Sequence, residues 1–395
     1  MSEKQNKKRL GIYIHIPFCK SKCAYCDFYS GNFSAADREE YLFCLVEHIK
    51  RLAPTADDYA VDSIFLGGGT PTVIGGEGIA RIGEALSISF HLSRDTEFSV
   101  EANPGTVERA DLDTMKRAGV NRISFGLQSS HDSELKALSR IHSYSEFLSA
   151  YSDARNAGFD NINIDLMYGL PDQTVDSFAE TVERVSALSP EHLSLYGLKI
   201  EDGTPFGRMR DRLVLPDEDS EYEMYLMAAD LLRAAGYRHY EISNYAKEGF
   251  RCRHNIGYWQ GAWYLGLGVA AHSMLPPSEE QRGQGAVRIR QANPEDTGLY
   301  IAHSPDLPRE TDLIDEDEAM FETMVVGLRM NDGVSSHSFE SLFGQSLQQR
   351  YGMELASLVR DGLGFWRDAP DSDRFFALTS KGLMLQNQVL LRLAD

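Results

Sequence analysis

Three cysteines fall within eight residues, as Cys19-x-x-x-Cys23-x-x-Cys26 in CKSKCAYC. Thiolates are soft ligands that suit zinc and iron–sulfur clusters. A structural zinc site wants four ligands, and this motif supplies three. Three thiolates on a four-iron cluster leave one iron open to a small chelating ligand. The alternatives are a zinc site completed by a distant ligand, or three structural cysteines. The chain has five cysteines and no signal-like N-terminus, which argues against a disulfide framework. Cys44 reads as a core residue of the first helix, and Cys252 stands outside the motif.

Other polar residues sit at the ends of apolar runs. Gly67-Gly68-Gly69-Thr70-Pro71-Thr72 follows one such run, and glycine lets backbone N–H and C=O groups come close to a ligand. Glu101, Gln128 and Asp165 end three further runs, and Arg140 follows the helix after Gln128. Taken singly, each of these could merely cap a neighbouring helix. A carboxylate at Glu101 can also accept hydrogen bonds from a ribose or an amino group.

The elements that must position these residues alternate. Strands are expected at Gly11–Ile16, Ser63–Leu66, Phe98–Ala102, Arg122–Leu127, Ile162–Met167 and His192–Leu198. Helices are expected between them, at Ala110–Ala118, Asp132–Leu138, Ser145–Ala157 and Asp176–Leu188. Ser34 with Asp37 forms a capping-box pattern ahead of a helix whose apolar positions are Tyr41, Leu45, Ile49 and Leu52. Gly119 and Gly158 read as helix C-terminal stops. Six β-α units imply a parallel sheet in an α/β protein. An open, partial (β/α)6 barrel fits them, with a doubly wound sheet as the alternative. In either, chemistry belongs at the C-terminal strand ends, where the polar residues fall.

Residues 276–311, rich in Pro, Gly, Gln and Glu, read as a linker or surface excursion after a large domain at 1–275. Residues 312–395 read as a small, mostly helical, winged-helix-like domain with an acidic first helical turn. The net charge of -20 disfavours a nucleic-acid partner. No apolar run reaches the ~18 residues that suggest a membrane span. The expected location is the cytoplasm, with peripheral membrane association and a homodimer left open.

CKSKCAYC resembles the radical SAM (S-adenosylmethionine) signature. The surrounding segments resemble, over nearly the whole chain, the group of oxygen-independent coproporphyrinogen III oxidases and HemW-type heme chaperones. The resemblance implies a [4Fe-4S] cluster on Cys19, Cys23 and Cys26. It also implies a SAM site formed by Tyr13, Tyr25, Gly68, Gly69, Thr70, Glu101, Gln128, Arg140 and Asp165. The oxidases carry a fourth cysteine two residues after the third, and this chain has Phe28 there. The chain is also shorter at its N-terminus than is expected for an oxidase. Coproporphyrinogen dehydrogenase activity is therefore not expected. His254-Asn255-Ile256-Gly257-Tyr258-Trp259 is similar to the HNxxYW segment of the chaperones. The resemblance implies heme contact at His254, Asn255, Tyr258 and Trp259. Imidazole is a common axial ligand of heme iron, although a lone histidine is more often a bonded core residue. His272 reads as structural or pocket-lining. The expected partners are heme, an acceptor apo-hemoprotein and an electron donor. The expected activity is heme transfer, with oxidative decarboxylation of coproporphyrinogen III as the alternative.

Overall fold

The computed structural model describes residues 7–370 and 373–394. Six strands form its centre: β1 (Lys8–Ile16), β2 (Tyr59–Gly68), β3 (Leu92–Ala102), β4 (Arg122–Gln128), β5 (Ile162–Tyr168) and β6 (His192–Gly197). Successive side chains in a strand point to opposite faces. One face of these strands is apolar throughout: Ile12 and Ile14, Ile64 and Leu66, Phe98 and Val100, Ile123 and Phe125, Ile162 and Ile164, Leu193 and Leu195 all enter the main core. Fully burying such side chains contributes roughly 1.5–3 kcal/mol each. The other face is polar, carrying Glu97, Glu101, Arg122, Asn163, Asp165 and His192 among others.

Helices cover the apolar face. The crossovers are α1 (Ala35–Leu52), α2 (Gly75–Ser89), α3 (Arg109–Arg117), α4 (Asp132–Ala137) with α5 (Tyr144–Asn156), and α6 (Val175–Ala187). Ser34 and Asp37 cap α1 reciprocally, and Tyr41, Leu45 and Ile49 are its buried stripe. Gly119 and Gly158 take positive φ, as helix stops require. All six expected strands are present, some with longer ends.

Strands β1 to β6 are parallel and lie side by side in chain order. A doubly wound sheet needs a reversal of strand order. None occurs here, so that alternative is corrected. After the short α7 (Pro205–Arg208) and α8 (Glu218–Ala234), the hairpin β7 (Arg238–Glu241) and β8 (Asn244–Ala246) adds antiparallel to β6. Next comes α9 (Arg253–Trp259), then β9 (Tyr264–Leu267), which pairs with the other side of β1. The sheet is continued by β10 (His272–Leu275), β11 (Arg288–Ala292) and β12 (Glu310–Ile314), with α10 (Glu279–Gly283) and α11 (Thr297–His303) between them. The twelve-stranded sheet ends at β12 and β7.

The expected linker at 276–311 is therefore corrected. Its polar residues fall mostly in α10 and in the turns on either side of β11, which is an interior strand of the sheet, and its Tyr300 is fully buried in the main core. The acidic helix α12 (Glu316–Gly327) opens the last unit. It contains α13 (Ser336–Phe343), α14 (Leu347–Arg360), α15 (Ser380–Met384) and α16 (Gln386–Leu391). They pack with a small antiparallel sheet of β13 (Val334–Ser335), β14 (Gly364–Asp368) and β15 (Arg374–Leu378). This unit has a separate core, with Met324, Phe339, Leu355 and Phe376 at its centre. Among the described residues no helix is long and apolar enough to cross a membrane.

Candidate cluster and cofactor site

The loop after β1 carries the three cysteines, all half-buried and free. Backbone bonds hold it at both ends and in the middle. Cys19 N–H donates to Gly31 C=O at 2.8 Å, Ala24 N–H to Leu138 C=O at 3.1 Å, and Phe206 N–H to Ala24 C=O at 2.9 Å. The glycine turn after β2 is laced to the start of this loop. Gly69 N–H donates to Ile16 C=O at 2.9 Å, and Thr70 N–H to Phe18 C=O at 2.7 Å. A Cβ on Gly69 would stand 2.8 Å from the Phe18 carbonyl oxygen, so only glycine permits the approach. Gly68 has φ +105°, and a Cβ there would overlap the His15 ring.

Cys19 Sγ and Thr70 Oγ1 lie 3.6 Å apart. Arg140 Nη1 donates to Cys23 Sγ at 3.3 Å, and its Nη2 donates to the Gly126 carbonyl. Burial pushes the Cys26 thiol up to about 11, with Cys23 adding to the effect and Lys22 opposing it. Such a thiol stays protonated near neutrality unless a metal displaces the proton. Among the described residues no three His, Cys, Asp or Glu side chains gather tightly enough for a single metal ion. The donor set is three thiols on one loop beside a glycine cradle, and it suits a four-iron cluster with one iron left over.

The remaining expected SAM residues converge on the same edge. Glu101 Oε2 accepts from Gly68 N–H at 3.2 Å. Burial, and then the nearby Asp165, push the Glu101 carboxyl up to about 8. Asp165 accepts from Asn163 at 2.8 Å and Ser124 at 3.2 Å; burial raises it and these bonds oppose the rise. Gln128 ends β4 at φ +76°, which is strained for a non-glycine residue. Its buried Oε1 has no partner, nor does Arg140 Nε. The Tyr13 hydroxyl lies 3.0 Å from His15 Nδ1, and burial raises it further, as does Glu101. Tyr25 packs with Ala24, Leu138 and Phe206 below the cysteine loop. Tyr25, Gly68, Gly69, Thr70, Glu101, Gln128 and Arg140 thus gather at the mouth, while Tyr13 and Asp165 lie mid-strand in β1 and β5 and adjoin the group through Glu101.

The segment at α9 lies elsewhere, against the early half of β2. His254 is buried, with Nδ1 3.0 Å from Ser63 Oγ and Nε2 3.2 Å from the Tyr258 hydroxyl. Its ring stacks on Phe65 at 5.3 Å. Burial, and then the Arg122 guanidinium, lower its imidazole to about 3. Both ring nitrogens are engaged, so the isolated-residue expectation of a bonded core histidine describes the geometry. Asn255 is half-buried. Trp259 turns away toward the C-terminal unit, under the Arg329 guanidinium at 4.5 Å. The cleft beside His254 and Tyr258 has a volume of about 120 Å³, while pockets for drug-sized ligands run to roughly 300–1,000 Å³. His272 is exposed at the start of β10. Cys44 is half-buried, with Sγ 3.8 Å from the Ile301 carbonyl.

Between mouth and α9 runs a polar network that motif reading did not single out. Asn163 Nδ2 donates to Ser124 Oγ at 2.7 Å, and Asn163 Oδ1 lies 2.5 Å from His192 Nδ1. His192 Nε2 is 2.8 Å from the Tyr240 hydroxyl, which accepts from Cys252 N–H at 3.2 Å. Glu97 accepts from the backbone N–H groups of Arg253 at 2.9 Å and His254 at 3.2 Å, at the start of α9. The signal for these residues was the alternation itself, in Glu97-x-Ser99-x-Glu101 and Asn163-x-Asp165.

Comparison with known proteins agrees with this arrangement. The Radical SAM superfamily profile matches residues 13–185, and the HemN C-terminal domain profile matches residues 314–385. The chain is 34% identical over 381 residues to the Bacillus subtilis protein named heme chaperone HemW, covering 95% of this chain and 97% of that one. The chain belongs to the HemW/HemN family of the radical SAM superfamily. It is also 33% identical to the mouse mitochondrial radical S-adenosyl methionine domain-containing protein 1, over 90% of this chain and 81% of that one. Coproporphyrinogen III oxidase (HemN) from Escherichia coli shares the fold, with a TM-score of 0.80, 23% identity, and coverage of 99% of this chain and 91% of that one. Radical SAM/HemN family proteins generally bind a [4Fe-4S] cluster and SAM.

Proposed function

We propose that this protein binds heme and passes it to an acceptor hemoprotein, with a [4Fe-4S] cluster on Cys19, Cys23 and Cys26 and SAM beside it. We read the open sequential sheet as a partial (β/α)6 barrel that presents this site at its C-terminal edge. The observation that carries the reading is Phe28, 65% exposed on the cysteine loop at the position where the oxidases carry a fourth cysteine. Near-full-length similarity to proteins named heme chaperones supports it.

When bound, a reduced cluster and SAM supply one-electron cleavage to a 5′-deoxyadenosyl radical. The chain's own groups position the parts. The glycine turn at Gly68–Thr70 offers backbone groups to the amino acid end of SAM. Glu101 and Asp165 accept hydrogen bonds when ionised, and Arg140 and Gln128 supply the unpartnered polar atoms at the mouth. Tyr13 and Tyr25 close its sides. Heme is assigned to the α9 segment, where Tyr258 and Trp259 offer aromatic faces with polar tips and Asn255 an amide. Iron ligation by His254 requires Nε2 to exchange Tyr258 for the metal. The reading requires an electron donor and an acceptor apo-hemoprotein as partners.

The test is a heme titration of anaerobically reconstituted protein, followed by its Soret band, with coproporphyrinogen III turnover assayed on the same sample. Saturable, stoichiometric heme binding without turnover is the expected result. Turnover without specific heme binding would make the protein a decarboxylase instead.

A further inference from the structure

The polar face of the sheet continues past β6 to the seam with the C-terminal unit. There Ile242 N–H donates to the Arg329 carbonyl at 3.0 Å, and Asn331 N–H to the Tyr240 carbonyl at 3.1 Å. These bonds fix Arg329, which follows α12, beside β7. Five buried side-chain atoms at this seam lack a hydrogen-bond partner: Glu241 Oε2, Asn244 Oδ1, Asn331 Oδ1, Trp259 Nε1 and Arg329 Nε. Glu241 is 1% exposed and Asn244 2%. Burial pushes the Glu241 carboxyl up to about 7, and the Arg329 charge opposes that rise. Buried polar atoms in folded proteins are nearly always paired. Two donors and three acceptors left open along this seam therefore point to a bound polar group.

Tyr196 connects this seam to the mouth. It lies near Asp165, Glu101 and Glu241, and Arg329 feels its field. It is nevertheless 41% exposed, so solvent reaches the space between the mouth carboxylates and the seam. Tyr196 flanks the mouth carboxylates, and at the seam the Arg329 guanidinium stacks on the Trp259 indole at 4.5 Å. A planar guanidinium with free donors matches a carboxylate.

We propose that Arg329, with the indole N–H of Trp259, holds a carboxylate arm of a tetrapyrrole that extends from α9 past Tyr196 toward the mouth. The inference rests on the heme reading and assigns residues of both units to that ligand. Heme carries two propionates, and one of them can reach the Arg329 fork. Glu241 and Asn244 present acceptors that bound water can bridge to the carboxylate end. The C-terminal unit then acts as part of the binding site through a residue outside the HNxxYW segment.

The experiment compares hemin with hemin dimethyl ester, whose propionates carry no charge, on reconstituted protein and its Arg329→Gln variant. The expected result is a ten- to hundredfold weaker Kd for the ester on the unaltered protein. The variant should bind hemin that weakly as well, and should no longer distinguish hemin from the ester, as a shared pair requires. Equal affinity of the unaltered protein for hemin and ester overturns the site while leaving the heme reading intact. A protein that binds no hemin overturns the heme reading and this site with it. The ester arm needs no substitution, so a poorly folded variant does not remove the test.

Discussion

The mouth of the sheet and the start of α9 use the same kinds of residue in opposite states. At the mouth, Gln128 Oε1 and Arg140 Nε are buried without partners, and three thiols wait on one loop. At α9, both nitrogens of His254 are engaged, and Glu97 takes two backbone N–H groups and the Cys252 thiol. Open polar atoms are expensive to bury, so a fold keeps them where a ligand completes them. Satisfied ones hold structure. The difference teaches that a motif residue cannot be assigned to ligand or scaffold from its type, only from what already bonds to it.

Substitutions should separate the two ends. The largest effect is expected from Cys19→Ser, Cys23→Ser or Cys26→Ser, each removing nearly all the iron and sulfide that reconstitution loads. Full iron and sulfide content in the triple variant would place the cluster elsewhere. Glu97→Ala is expected to act on the other end. It strands four donors in a buried site and should cost roughly 3 kcal/mol, read as a lower urea midpoint. An unchanged midpoint would mean that Glu97 does not hold α9.

His254→Gln should cost about 1–2 kcal/mol and leave SAM affinity unchanged. A shifted Soret band in the same variant would show that Nε2 exchanges Tyr258 for heme iron, which would blur the contrast between the ends. The smallest effect on ligand loading concerns pH. Glu101 rises from an ordinary 4.5 to about 8 in the fold, so the folded state binds its proton more tightly. Its ionisation therefore lowers stability as pH climbs from 4.5 toward 8. The same ionisation should tighten SAM binding about tenfold between pH 7 and pH 9, measured by calorimetry. Glu101→Gln should flatten that profile, and a steep profile in the variant would assign the proton to another group.

Much of the mouth was legible because local rules fix it. Cys19-x-x-x-Cys23-x-x-Cys26 is a single loop, the glycine turn directly follows β2, and Glu101 and Gln128 lie at strand ends; Asp165, expected at an end, sits at the middle of β5 because that strand runs on to Tyr168. Strand direction and crossover handedness bring such ends to one edge without further information. The segment 276–311 misled because the short polar helix α10 and the turns around β11 have the composition of a linker. The α9 motif was legible as a motif but not as a geometry.

The sequence by itself determined the six strands, the capped helices and the residue types at the mouth. Periodicity and turn chemistry act over a few residues, and a parallel sheet needs little more. Only the tertiary structure decided that Glu97 clasps α9, that His254 is already bonded on both sides, and that Arg329 reaches Trp259 from another unit. Those contacts join residues 157 positions apart for Glu97 and His254 and cross a unit boundary for Arg329 and Trp259. No local pattern specifies such pairs, because they exist only once both cores have packed.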